Sequence, residues 1–405
     1  MRLDEARDLL QIRLPTWPSS EQRLARCTNI ADLRRLARRR VARAAFDYVD
    51  GGAEDEATLR RNREALEEIE IVHRVLRDVQ TVDASTMILG KPSPLPIVFA
   101  PTGFTRLVHH EGELAVARAA AERGLVYTAS TVATRSIEQI ATVAGRRWFQ
   151  LYVWRDRVLA KEMIDRARAA GYDALVLTVD VPLSGSRERD VRSGFTIPPV
   201  IEWRTILEAG RHPQWWLNVL RSDPITFANV SHRITGRASA MGMISSQFDP
   251  GVTWDDVVWM REQWDGPFVI KGVVAVDDAK RAAQVGFDAV VVSNHGGRQL
   301  DYGTATATVL PEIADAVGSD LDVFVDGGIR RGTDIVKALA LGAKAVLVGR
   351  AYLYGLGAGG GRGVHRAVDI LETELRRAMG LAGARNIAEL AGVELRRAGT
   401  TITHR

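Results

Sequence analysis

The chain has 405 residues, 46% of them apolar and 26% charged, a globular balance long enough to bury a core without disulfide or metal staples. Its 54 Lys and Arg against 50 Asp and Glu leave a net charge of +4, too small and too dispersed to argue for nucleic acid. The single cysteine, Cys27, excludes an intrachain disulfide and points to a reducing compartment. The acidic opening MRLDEARDLL argues against a secretory leader, and no apolar run reaches the ~18 residues of a membrane span.

Residues 1–95 read as a helical, then irregular cap ending in Lys91-Pro92-Ser93-Pro94-Leu95-Pro96. Its basic run Arg34 to Arg40 carries Leu33, Leu36 and Ala37 at helical spacing, so it reads as a solvated helix face rather than an anion patch. From Ile97 one phrase recurs: an alanine-rich helix stops at a glycine (Gly171, Gly286, Gly342) and an all-apolar strand follows. Eight strands are predicted near Ile97–Ala100, Leu125–Thr128, Trp148–Tyr152, Leu175–Val179, Phe268–Lys271, Val290–Ser293, Val323–Asp326 and Val346–Gly349. Asp277-Asp278 and Thr333-Asp334 are expected to N-cap two of the intervening helices. Eight β-then-α units predict an α/β fold, a (β/α)8 TIM barrel over residues 96–390 with a tail at 391–405. A doubly wound open sheet would want a glycine fingerprint after its first strand, and Pro101-Thr102-Gly103 is not one. A long insertion after strand four, residues 190–252, contains Pro198-Pro199 and Trp215-Trp216. It is expected to form a lid or partner surface.

In such a barrel the chemistry belongs at the C-terminal ends of the strands, and reactive residues collect there. Strand three carries Gln150 and Tyr152. Strand four ends Thr178-Val179-Asp180, with Arg187 beyond it, and strand five ends at Lys271. Strand six runs into Ser293-Asn294-His295-Gly296-Gly297-Arg298. Strand seven runs into Asp326-Gly327-Gly328-Ile329-Arg330, and strand eight ends Gly349-Arg350. Gly327 and Gly328 with Arg330 and Arg350 have the make-up of a phosphate site. His295 is the candidate general base, Asp180 its orienting carboxylate, and Arg187 with Arg298 a clamp for a small carboxylate. Gly355 to Gly360 formally matches G-x-G-x-x-G but lacks a strand immediately before it, so it reads as a flexible loop. No metal-ligand spacing is present.

Three stretches resemble the FMN-dependent α-hydroxy-acid dehydrogenases and oxidases, the group of glycolate oxidase, L-lactate dehydrogenase and mandelate dehydrogenase. They are Ser293 to Asp301, Asp326 to Asp334 and Phe149-Gln150-Leu151-Tyr152, within a resemblance spanning roughly Leu33 to Leu390. The resemblance implies FMN on the backbone of Pro101, Thr102 and Gly103. Ser130, Gln150, Thr178 and Ser293 would lie at the flavin, with Lys271 at its pyrimidine edge. Asp326, Gly327, Gly328, Arg330, Gly349 and Arg350 would surround the ribityl phosphate. Tyr48, Tyr152, Arg187, Arg298 and Gly103 would meet a 2-hydroxy carboxylate substrate, with His295 as base, Asp180 as its partner and Lys271 assisting.

The resemblance also implies a homotetramer. His212 to Trp215 resemble the insertion of membrane-associated bacterial lactate dehydrogenases. The expectation is therefore a cytoplasmic enzyme with peripheral contact at the inner face of the cell membrane, where Trp215-Trp216, Arg204, Arg211 and Arg221 would rest. Gly103 stands where oxidases usually carry alanine, Val132 where glycolate oxidase has tryptophan, and Phe46 where a tyrosine often stands. These departures predict a roomy pocket and a dehydrogenase delivering electrons to a quinone or other carrier. An oxygen-using oxidase making hydrogen peroxide, or a barrel isomerase acting on a phosphorylated substrate, remains the alternative.

Overall fold

The structure, a computed structural model, describes residues 19–194, 210–230 and 247–402. Eight strands close a barrel: β1 (Ile97–Phe99), β2 (Val126–Ser130), β3 (Arg147–Tyr152), β4 (Ala174–Thr178), β5 (Phe268–Val273), β6 (Ala289–Val292), β7 (Asp322–Val325) and β8 (Ala345–Val348). Each pairs in parallel with its sequence neighbours, and β8 returns to β1 through Val346 opposite Ile97. The predicted strands agree with these to within about two residues at either end, the usual scatter at element boundaries.

Period-two alternation explains how the barrel is filled. Val98, Val126, Trp148, Val176, Val269, Val291, Phe324 and Leu347 form one apolar cluster, joined by Ile88 and Leu89. Neighbours of opposite parity, such as Phe99, Leu175, Leu177, Val290 and Val292, join the larger cluster shared with the helices. The first set fills the barrel interior, as expected of a parallel sheet buried on both faces. Two residues on, with the same parity, stand Gln150, Thr178, Lys271, Ser293 and Asp326, with Ser130 opposite Gln150. Polar chemistry therefore begins where the apolar fill ends.

The N-terminal region contributes α1 (Ser20–Ala25), α2 (Ile30–Arg40), α3 (Arg43–Asp50) and α4 (Ala57–Glu67). The basic run in α2 is more than a solvated face. Arg34 makes a two-point pair with the buried Asp50, at 2.6 and 2.8 Å, and Arg40 donates to the Ala358 carbonyl. Farther on, Ile69–Ile71 pairs antiparallel with Leu395–Arg397, so one small sheet joins the N-terminal region to the C-terminal stretch.

Among the described residues the α-helices between α4 and β8 are α5 (Gly112–Glu122), α6 (Ile137–Ala141), α7 (Arg157–Ala169), α8 (Glu188–Arg192), α9 (Pro213–Leu220), α10 (Trp254–Glu262), α11 (Val276–Val285), α12 (Thr306–Val317) and α13 (Gly332–Ala340). The N-caps lie two residues before the first expected capping residues. In α11 the capping position is Ala275, and in α13 it is Arg331. Asp277, Asp278 and Asp334 lie inside the first turns. Asp334 accepts the backbone N–H groups of Arg330 and Arg331.

The glycine-rich run after β8 is not a flexible loop. It is buried within the helical stretch α14 (Arg350–Ala382), which kinks at Gly359 and Gly360, the latter with φ of 62°. Gly355 and Gly363 meet across the kink so closely that a Cβ on either would strike the carbonyl of the other, a packing only glycine permits. Of the insertion, α9 (Pro213–Leu220) lies within the described residues, whereas Pro198-Pro199 and Arg204 lie outside them. Trp215 is half-buried and donates from Nε1 to the Leu107 carbonyl at 2.8 Å, so its ring is tied to the barrel.

Candidate active site

A cleft at the C-terminal ends of the strands opens above the apolar fill. Its empty space, counted out to the solvent mouth, is about 1280 Å³. Tyr48, Pro101, Thr102, Gly103, Tyr152, Arg187, Lys271, His295, Arg298, Asp326, Gly327, Gly328, Arg330, Gly349 and Arg350 all line this one cleft.

At its centre, His295 Nδ1 lies 2.9 Å from Asp180 Oδ1. Burial works against a charge on Asp180, but the imidazole of His295 and the ammonium of Lys271 outweigh it and hold the carboxyl below the usual range. His295 has φ of 57°, a left-handed conformation uncommon outside glycine. Its backbone N–H donates to Ser293 Oγ at 3.1 Å, and the following Gly296 and Gly297 continue with positive φ. The loop after β6 is pinned from the N-terminal region, where Asn62 and Asn294 exchange two amide hydrogen bonds of 2.8 Å.

Lys271 is buried, 2.9 Å from Ser293 Oγ and 3.0 Å from Asp326 Oδ2. Desolvation opposes its charge, but Asp326 and Asp180 overcome this and raise its pKa, so the ammonium is a fixed buried cation. Ser130 donates to Gln150 Oε1 at 3.1 Å, leaving Gln150 Nε2 without a protein partner. Thr178 Oγ1 and Asp326 Oδ1 are likewise buried and unpartnered among the described residues. Orphaned polar groups at one level of a barrel are costly unless a ligand meets them. They offer a donor, a hydroxyl and an acceptor, a mixed set that suits the edge of a heterocycle carrying both N–H and C=O groups.

Beside them, Gly327 and Gly328 both have φ of 91°, a conformation that brings backbone close to a ligand. Arg330 lies over the Tyr354 ring at 5.6 Å. Arg350 differs from the simple phosphate cation expected of it. Its three nitrogens each donate to a backbone carbonyl, those of Val49, Gly296 and Gly51, at 2.7–2.9 Å. Desolvation, with Arg298 nearby, pushes its pKa down to about 10. The residues present therefore fit a flavin mononucleotide, with Arg330 the freer cation.

Across the cleft, Arg187 and Arg298 lie over the Tyr48 ring at 5.3 and 5.0 Å. Arg298 also donates to the carbonyls of Tyr48 and Gly51, and Arg187 pairs with Asp190 at 2.9 Å. Burial, and then Arg187, lower the pKa of Arg298, as expected of two cations sharing a site that awaits an anion. Desolvation raises the pKa of Tyr152, keeping its hydroxyl a proton donor.

The pocket is less roomy beside Gly103 than expected. A Cβ there would lie 2.5 Å from Val132 Cγ2, so the valine already occupies that space. Sequence reasoning missed Asp50, Arg189, Asp190, Asn62 and Tyr354, which hold the cleft's walls. Most work through partners distant in the chain; Asp50, two residues from Tyr48, and Asp190, three from Arg187, carry a local hint.

The family model for FMN-dependent dehydrogenases matches residues 37–397. A Mycobacterium tuberculosis protein named "Putative L-lactate dehydrogenase" is 47% identical over 98% of this chain and 97% of its own length. An L-lactate dehydrogenase of Caulobacter vibrioides is 45% identical over 90% of this chain and 96% of its own. Among solved structures, the monotopic membrane protein (S)-mandelate dehydrogenase matches with a TM-score of 0.88 and 37% identity, covering 92% of this chain and 100% of its own. A mandelate oxidase bound to (S)-4-hydroxymandelic acid matches at 0.81 and 41%, over 92% and 100%. With nearly the whole chain matched by the family model and by relatives of this identity, the chain belongs to the FMN-dependent dehydrogenase family.

Proposed function

We propose that this enzyme oxidises an L-2-hydroxy acid of lactate or mandelate type to the 2-oxo acid, and that its electrons pass to a quinone or another carrier. One observation carries the reading: His295, paired with Asp180, faces the same cleft as Arg187 and Arg298 over Tyr48. A phosphate-ligand isomerase has no need of that second cation pair. The named lactate and mandelate enzymes support the substrate class.

In this reading, Pro101 to Gly103, Ser130, Gln150, Thr178 and Ser293 hold the isoalloxazine ring. Asp326 to Gly328, Arg330, Gly349 and Arg350 surround the phosphate. Bound FMN supplies a two-electron acceptor. Arg298 and Arg187 draw in the substrate carboxylate, Arg298 by a planar fork that can meet two oxygens. The hydroxyls of Tyr48 and Tyr152 orient the substrate's remaining oxygen. His295 donates its Nδ1 hydrogen to Asp180, which leaves Nε2 with a lone pair to take the substrate's proton. The imidazolium so formed sits 2.9 Å from a carboxylate held ionised for it. Lys271, a buried ammonium, would supply a positive charge at the ring's pyrimidine edge. Anaerobic titration with L-lactate, L-mandelate and glycolate tests this; a flavin that none of them bleaches overturns it.

The acceptor, location and assembly belong to the same proposal. The mandelate oxidase likeness keeps direct reaction with oxygen as the second reading. Reoxidation of the reduced enzyme by air and by a soluble quinone analogue separates the two. Among the described residues no helix is long and apolar enough to cross a membrane. Leu217 and Leu220 on α9 are exposed, and the mandelate dehydrogenase it resembles is monotopic, which supports peripheral docking of this segment at the inner face of the cell membrane. A homotetramer, a cap at 1–95, a barrel at 96–390 and a tail at 391–405 complete the picture. Light scattering and limited proteolysis test these.

A further inference from the structure

The C-terminus of α3 carries the substrate-facing Tyr48, and two residues later comes Asp50, a carboxylate that is only 5% exposed. Its four bonds come from three other segments. Oδ1 accepts Arg34 Nε at 2.6 Å and the Tyr354 hydroxyl at 2.8 Å. Oδ2 accepts Arg34 Nη2 at 2.8 Å and Arg189 Nη1 at 2.9 Å. Arg189 lies on α8 (Glu188–Arg192), and its other arm reaches Glu56 at 2.5 Å. Glu56 in turn accepts the Gly52 N–H at 3.0 Å. Beside this anchor the Glu54 N–H donates to the Ser186 carbonyl at 2.7 Å. The residue between Ser186 and α8 is Arg187, whose guanidinium lies over Tyr48.

α8 is a five-residue helix at the edge of an insertion and has little packing of its own to fix it. Its one buried residue is Asp190, which pairs with Arg187 itself. The Asp50–Arg189–Glu56 chain ties α8 itself to the N-terminal helices, beside the Glu54–Ser186 backbone bond just before it. From this juxtaposition we infer that Asp50 is a positioning residue for substrate binding: through Arg189 it sets α8, and so places Arg187 over Tyr48 to receive the substrate carboxylate. This rests on the carboxylate clamp proposed above. Asp50 itself is not among the residues that line the cleft.

The geometry separates two arms of the same carboxylate. Arg34 ties Asp50 to α2, away from the cleft, and Arg189 ties it to α8. Arg189→Met should raise KM for the 2-hydroxy acid about tenfold, with kcat within about threefold of the parent. It should weaken binding of the unreactive 2-oxo acid, read from the flavin spectrum of the FMN-loaded enzyme, by a similar factor. Arg34→Met removes two hydrogen bonds from Asp50 and should lower thermal stability, yet leave KM within about twofold. In an Arg187→Met background, Arg189→Met should no longer change 2-oxo acid binding.

Equal KM effects of Arg34→Met and Arg189→Met would overturn the inference, because a merely structural hub would show them. So would an Arg189→Met effect that survives in the Arg187→Met background. If Arg187→Met alone leaves binding unchanged, the carboxylate clamp fails instead. Should Asp50→Asn fold, it should reproduce Arg189→Met in KM; Asp50→Glu, which keeps the charge, should recover part of the loss.

Discussion

Replacing Gly103 with alanine tests how tightly the cleft is built. The added Cβ would meet Val132 Cγ2 at 2.5 Å and the Val132 carbonyl oxygen at 3.3 Å. Carbon atoms rest at about 3.5–4.0 Å, so the valine methyl has to retreat by roughly 1 Å or rotate about χ1. Rotation is restricted because Val132 is β-branched and 9% exposed within the core. A backbone shift would strain the bond from the Phe104 N–H to the Val132 carbonyl, already 3.3 Å. Overpacking of this kind costs about 1–3 kcal/mol. Val132→Ala removes the obstructing methyl, so Gly103→Ala should cost almost nothing in that background. Urea unfolding of the four FMN-loaded proteins should give a coupling energy of about 1–2 kcal/mol. Additivity within about 0.5 kcal/mol would refute the steric argument. Both residues line the cleft, so KM for a mandelate-sized acid should rise in Gly103→Ala and recover in the double variant.

His295→Ala should retain FMN but slow flavin reduction by substrate about 10²–10⁴-fold in stopped-flow, the typical value of a positioned base; rapid bleaching would remove His295 from that role. Arg330→Ala should weaken FMN retention on dialysis more than it slows reduction in the fraction that stays loaded, and the reverse order would count against a phosphate cation there. Asp50 provides a pH test. Burial opposes its charge, but Arg34 above all holds its carboxyl well below the usual range. A depressed pKa adds stability that is fully present above the ordinary aspartate value of about 3.9 and lost as pH falls below it. The stability gap between parent and Asp50→Asn should therefore be constant from pH 7 to about 5 and narrow towards pH 3. A gap that widens in acid would contradict the assignment.

The strands were legible because a parallel barrel strand is apolar on both faces and stops abruptly, as Leu175-Val176-Leu177 does before Thr178-Val179-Asp180. The rim chemistry was legible for the same reason: a lysine or histidine at the end of such a run has few structural explanations. Three things were not. The caps of α11 and α13 were misplaced because acids favour the first turn as well as the cap, and the sequence pattern is the same for both. Gly355 to Gly360 read as flexibility because close packing of helix on helix also calls for glycine. The wall around Asp50 was hidden because Arg34, Arg189 and Tyr354 lie 16, 139 and 304 residues from it, and nothing local announces those pairings.

The carbonyls at the end of α3 have a consequence for the newborn chain. Those of Val49 and Tyr48 are claimed by Arg350 and Arg298, made 301 and 250 residues later. At roughly 5–20 residues per second, a ribosome needs about 15–60 s to cover the longer interval. Through that time α2 and α3 have no barrel to cover Leu33, Ala37 and Val41, all buried in the finished protein. This early segment is thus among the last to dock, and the substrate pocket is completed only at that docking. Nascent chains arrested before Arg350 should leave Tyr48 open to protease, whereas release of the full chain should close it.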